Sequence, residues 1–414
     1  MACTSDQDRN TETCLLVARL HDKDPSLTRL QLKSLKKFEH SEIAQALKNN
    51  CTVKSFQICD GVFSVEGFRS PTWKQLRAIL QSVATMNSLE ELDLNGKMSI
   101  DNEYDVRVIA KAITGHPRLK EVKMRDFVVH ASDHKDADPL LEPLITAASS
   151  INRLEELNLR CLASYKQWNR SYLTCEALIP FCQSTMLQRL ALSNVGLRDE
   201  HFRTIGREVG GNPDTALEEL ILNNNNNTCE GVEAMAKLLA PNSTIQRIEV
   251  HNQHRVEDST CEVILENLDK NHVIKHFNAN VPYMYRREID FYLLLNRTGR
   301  KVLLNPDSVP EEAVDVLAAA NGNVGILMHL LRDNPTLCKD VDSNEEQHMN
   351  QSAENTDHVE LQNDSQNQTS GENPEEESPA ECLRAPKALE SESAMIWRGF
   401  WYRTSTSSPT AVGQ

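Results

Sequence analysis

Aromatic residues are scarce in this chain: Phe, Trp and Tyr make up 5% of its 414 residues. A core of the size such a chain can bury must therefore be mostly aliphatic. No apolar run approaches about 18 residues, so no membrane-spanning helix is expected. Met1 to Asn10 hold no basic stretch followed by an apolar run, so no secretory signal is expected and the reading is a cytoplasmic or nuclear protein. Basic charge is also short. The formal net charge is −16 and no basic stripe is present, which argues against a nucleic-acid partner. The eleven cysteines include no Cys-x-x-Cys pair. Scattered reduced thiols are the simplest reading, with zinc ligation as the alternative.

Motifs that carry chemistry are missing too. The local glycines Gly206, Gly210 and Gly211 lack the Gly-Lys-Ser/Thr ending of a phosphate-cradling loop, and neither His-Glu-x-x-His nor Gly-x-Ser-x-Gly occurs. The thirteen histidines are dispersed, and His130, His134 and His251 read as surface residues rather than ligands. No cofactor and no metal follow from the sequence, and the chain reads as a non-enzyme.

What is present is a phrase that returns: an aliphatic residue, two variable ones, a second aliphatic, one variable residue and a third aliphatic. It reads Leu27-Leu30-Leu32, Val53-Phe56-Ile58, Leu89-Leu92-Leu94, Leu119-Val122-Met124, Leu154-Leu157-Leu159, Leu187-Leu190-Leu192, Leu217-Leu220-Leu222 and Ile245-Ile248-Val250, with a degraded ninth copy at Ile274-Phe277-Ala279. Successive copies begin 26 to 36 residues apart, a period that signals a repeat architecture. Alternate side chains of a strand point to opposite faces, so positions four and six of each phrase share one side. One short strand cannot bury them alone; a stack of parallel strands can.

The connectors supply a second layer. Val232, Met235, Ala236 and Leu239 recur at helical spacing before Asn242-Ser243-Thr244, as do Val108, Ile109, Ala112 and Ile113 before Gly115-His116-Pro117. Strand, loop, helix and turn in this order resemble the leucine-rich repeat, and the helical connector resembles its ribonuclease-inhibitor-like class, over residues 15 to about 282. The resemblance implies an α/β fold: a curved solenoid with a parallel sheet inside and helices outside. It also implies a monomeric surface for another protein rather than a pocket for chemistry. Members place Asn or Cys shortly after the strand. Here Asn225 holds that register and Asn194 stands one position early, while Leu35, Gly61, Lys97, Phe127, Leu162 and Gln253 occupy it elsewhere, so an irregular solenoid is expected.

Five segments follow. Residues 11–26 read as an N-terminal cap with Leu15, Leu16, Val17 and Leu20 on an apolar face. Residues 27–282 are the repeats. Asp24-Pro25-Ser26-Leu27-Thr28, with Ala46-Leu47-Lys48-Asn49-Asn50 and Val53-Lys54, resembles the opening repeats of tropomodulin. Residues 283–340 read as a helical C-terminal cap, or as a docking module, with Val302-Leu303-Leu304 as an extended link; this layout is similar to segments that follow the repeats in some diatom leucine-rich-repeat proteins. The linker 341–394 is acidic: residues 341–393 carry 14 acidic and 2 basic residues, and such a composition cannot offset its ordering entropy. Residues 395–414 open with an aromatic cluster around Trp397 and Trp401, read as a docking motif, a strip that folds back, or an accident of composition.

Positions three, five and seven of each phrase face away from the helices and are the candidate partner-binding residues: Arg29, Lys33, Glu91, Asp93, Lys123, Arg125, Glu156, Arg160, Arg189, Glu219, Arg247 and Glu249. The face is polar, mixed in sign and free of aromatic anchors, so a salt-sensitive protein contact is expected. Long insertions after strands two and five add Trp73 and Trp168 as candidates on one rim.

The architecture is also similar to that of Ran GTPase-activating proteins, in which such repeats precede an acidic tail. That resemblance implies an arginine in an early post-strand loop that stabilises phosphoryl-transfer charge. The segment from Lys33 to His40 offers lysines and no arginine, and Arg69 is the single early candidate. Lysine does not replace arginine in this role.

Overall fold

The computed structural model describes residues 6–334, apart from 33–38, 59–71, 97–98, 101, 130–139, 163–170, 253–254, 305–309 and 321–322. The expected acidic linker and aromatic tail, and the candidates Lys33, Arg69 and Trp168, lie outside the described residues. All described residues belong to one compact unit.

Nine parallel strands form one open sheet: β1 (Arg29–Leu32), β2 (Ser55–Ile58), β3 (Glu91–Asn95), β5 (Glu121–Val129), β6 (Glu156–Cys161), β7 (Arg189–Ser193), β8 (Glu219–Ile221), β9 (Arg247–Glu249) and β10 (His276–Asn278). A two-residue strand β4 (Ser99–Ile100) pairs with the far end of β5. The order along the sheet is the order in sequence, as a solenoid requires. Every copy of the phrase pairs in register with the next, Leu30 with Phe56, Phe56 with Leu92, Leu92 with Val122 and onward to Phe277. Positions four and six are buried in all nine copies.

Behind the sheet stand α2 (Glu39–Leu47), α3 (Thr72–Val83), α4 (Glu103–Thr114), α5 (Glu142–Ser149), α6 (Cys175–Cys182), α7 (Asp199–Gly210), α8 (Cys229–Leu239) and α9 (Asp258–Lys270), each packed on the next. Strands stack about 4.8 Å apart whereas helices need about 8–10 Å. The sheet therefore takes the inner, concave side. Apolar spacing and caps make these helices: Leu76, Ile79, Leu80 and Val83 bury one stripe of α3, and Asn102 and Thr174 accept from Asp105 N and Ala177 N to start α4 and α6. Gly115 ends α4 where a Cβ would lie 2.5 Å from Ala84 O, so only glycine permits that approach. One aliphatic core runs from Leu20 to Leu293.

The ends differ in detail from the sequence reading. The N-terminal helix α1 (Asp6–His21) begins before residue 11, and Leu15 is 62% exposed while Leu20 seals the core. At the other end, α10 (Tyr283–Arg297) closes the repeats with Ile289 and Leu293. Its opposite side joins α11 (Arg300–Leu304), α12 (Pro310–Ala319) and α13 (Val324–Asp333) around a second small core of Leu295, Val316, Ala320, Ile326 and Leu330. The Val302-Leu303-Leu304 link is thus helical, not extended, because Val302 and Leu303 pack on that second core. These repeating strand–helix units fit the leucine-rich repeat.

Candidate protein-binding face

Register decides what the candidate residues touch. Position three of each phrase lines up as Arg29, Ser55, Glu91, Glu121, Glu156, Arg189, Glu219, Arg247 and His276. Position five forms a parallel row through Gln31, Gln57, Asp93, Lys123 and Asn158. Side chains about 4.8 Å apart along such rows interact directly.

They do so as three linked groups. In the first, Gln31 donates to Gln57 (3.1 Å), Gln57 donates to Asp93 (2.9 Å) and Arg125 donates to the same Asp93 oxygen (2.8 Å). Arg29 reaches Gln57 at 3.4 Å, and Ser55 donates to Glu91 at 2.7 Å. In the second, Lys123 bridges Glu121 (2.5 Å) and Glu156 (3.0 Å), while Arg189 lies 3.7 Å from Glu156 and 3.3 Å from Glu219. In the third, Glu249 pairs with Arg247, accepts from Asn223 (2.6 Å) and sits 3.5 Å from His276. Arg160 turns to Asp126, 2.6 Å away. Asp126 is left-handed at φ 63°, where β5 bulges and Phe127 drops into the core.

Burial tunes these groups. Asp93 is 3% exposed, and desolvation holds its carboxyl above the ordinary value despite the attraction of Arg125. Its Oδ1 and the Nε of Arg125 have no hydrogen-bond partner among the described residues. Burial would lower Lys123, but its bonds to Glu121 and Glu156 outweigh that and raise it. Burial would raise Glu249, but Arg247 and Asn223 outweigh that and lower it. Among the described positions three, five and seven of the phrases stand six cations and six carboxylates, a near balance of sign within a strongly acidic chain.

Trp73 stands on the first turn of α3 rather than in the preceding loop; its side chain is outside the described residues. The sequence reading missed an asparagine ladder under the turns from helix to strand. Asn50 Oδ1 accepts from Thr52 N and Val53 N, Asn242 Oδ1 from Thr244 N and Ile245 N, and Asn271 Oδ1 from Val273 N and Ile274 N. Their side-chain amides reach back, Asn50 to Leu20 O and Asn271 to Asn242 O. The signal was present: an Asn three residues before the first aliphatic of several phrases. Asn225 does occupy its expected role, and Asn252, one position before the expected Gln253, donates to Asn227 O at 2.5 Å.

Among the described residues no group of three His, Cys, Asp or Glu could hold a metal ion, and no helix is long and apolar enough to cross a membrane. No protein-family profile matches the chain, and no curated protein matches it. Among solved structures, the chain is similar to one described as Leiomodin-1 Actin-Binding Site 2 (ABS2), with 13% identity, over 40% of this chain and 82% of that one, at a TM-score of 0.25. A likeness that slight carries no argument about function.

Proposed function

We propose that this chain is a non-catalytic, monomeric scaffold of the ribonuclease-inhibitor-like leucine-rich-repeat class that binds another protein across its strand face. The observation that supports this is the series of cross-strand and in-strand ion pairs of both signs from β3 to β9. These ion pairs are half-buried, and the cost of desolvating their charges offsets much of their attraction, so their alignment gains the fold little. A fixed pattern of mixed sign suits recognition instead, because it rewards one register of a complementary surface and penalises others.

Size supports a partner that also grips the rims. Eight gaps of about 4.8 Å give about 40 Å of sheet, and five residues of strand give about 16 Å across it. The resulting area of about 600 Å² falls short of the roughly 800 Å² per partner that a specific interface needs. Contacts beyond the strands are therefore part of this reading, with the rim carrying Trp73 and Trp168 as the candidate.

Affinity capture from cell extract tests it, comparing the full chain with an Arg160→Glu/Arg189→Glu variant. A partner retained by the first and lost by the second, at unchanged melting temperature, supports the face. An identical set of partners refutes it.

A further inference from the structure

The pattern of paired charge stops at one end of the face. Arg286 and Arg297 lie eleven positions apart on α10, and at 3.6 residues per turn this puts them within about 20° of each other and about 16 Å apart along the axis. Neither forms an ion pair with any described residue, nor does Asp290, the carboxylate between them on that stripe. α10 packs on β10. Burial and Arg247 hold His276 below its ordinary value, Glu249 opposes them, and Arg297 and Arg286 depress it further, which places both guanidinium groups in electrostatic reach of the last strand.

The first turn of α10 adds what the strand face lacks. Tyr283 is 93% exposed and Met284 66% exposed, and Tyr283 precedes Arg286 by three residues, on nearly the same side of the helix. Tyr and Arg are the residues that dominate interface hot spots, and Met is enriched at interfaces.

We propose that this Tyr283–Arg286–Arg297 stripe is a second docking site, for an extended acidic segment of another protein. Two carboxylates four residues apart lie on the same side of an extended chain, about 13 Å apart, and the long arginine side chains reach them in charge-assisted pairs. An apolar residue two positions before the first carboxylate lies on that same side and packs on Tyr283 and Met284. Asp290 makes the site select spaced carboxylates: a continuous phosphate backbone would lie against it, whereas neutral residues between the two acids do not. The proposal is independent of the strand face.

The test is fluorescence anisotropy on the full chain with a labelled peptide reading Leu-Ser-Glu, three Ser/Thr residues, then Glu. Controls are a peptide with its acids two residues apart and a 20-nucleotide oligo-dT. Binding should weaken at least about tenfold in Arg286→Gln/Arg297→Gln and several-fold in Tyr283→Ala, with the melting temperature unchanged. It should be indifferent to Arg160→Glu/Arg189→Glu, so its failure and that of the strand face are separable. No saturable binding up to about 1 mM, binding unaffected by the arginine substitutions, or tighter binding of oligo-dT overturns the proposal.

Discussion

Replacing Asn225 by alanine should remove more stability than any single change on the concave face. Its side chain makes four bonds in a buried turn: Nδ2 donates to Leu192 O (2.7 Å) and Leu222 O (2.9 Å), and Oδ1 accepts from Val195 N (3.0 Å) and Leu197 N (3.2 Å). Each buried group left without a partner costs about 1–3 kcal/mol. The four do not sum fully, because the truncated site admits water and the turn relaxes. A loss of about 3–5 kcal/mol is expected, the upper range for one substitution. Urea unfolding measures the total. Amide exchange locates it: Val195 and Leu197 should lose protection while β1 amides keep theirs, since each repeat leans chiefly on its neighbours. Asn225→Asp keeps both acceptor roles and places a carboxylate beside two carbonyl oxygens, so it should be no milder at neutral pH. If the alanine variant loses less than about 1 kcal/mol and both amides stay protected, the backbone alone holds this turn and the reasoning is wrong.

Arg77→Leu removes the guanidinium that stands 2.5 Å from the buried Asp105 carboxylate and should cost about 1.5–3 kcal/mol in thermal or urea unfolding, partly recovered by Asp105→Asn in the same chain. Burial holds His116 below its ordinary 6.5, against the opposing carbonyl bonds at Met86 and Ala112. As pH falls through 6.5 the unfolded chain takes up that proton first, so stability should drop until the depressed folded value is reached and then level; His116→Gln should flatten this step in a pH series of unfolding curves. Burial pushes the Cys161 and Cys182 thiols up to about 12 and Cys261 up to about 11, whereas Cys14 and Cys51 are exposed. Mass spectrometry after iodoacetamide at mildly alkaline pH should find the exposed pair alkylated in the native protein and the buried three only after denaturation.

The strands were legible because their signal is local. Leu92 and Leu94 must share a side of any strand that holds them, and repetition of that spacing dictates stacking whatever the partner. The helices follow from the same rule at a different period. Contacts between repeats are another matter. The sequence names Lys123, Glu156, Arg189 and Glu219 as one face, but only the register makes Lys123 bridge Glu121 and Glu156 and leaves Arg189 between Glu156 and Glu219. Residues of different repeats meet at sequence separations near 30, where no local pattern carries the information. The same holds at the end of the solenoid. Val302-Leu303-Leu304 is as apolar as a strand, and it becomes a helix because Leu295, Val316 and Ile326 provide a second core for it. Trp73 likewise joins α3, whose apolar stripe fixes where the preceding segment must end. Asn225 was recognisable by its place after a strand, yet the four groups it satisfies come from two neighbouring repeats. By itself the sequence determined the repeat, its two layers and which side of each strand is buried, since these depend on side-chain alternation along one segment. The tertiary structure alone decided how the charges pair and where they are left unpaired, since that depends on which side chains different repeats bring within hydrogen-bonding distance.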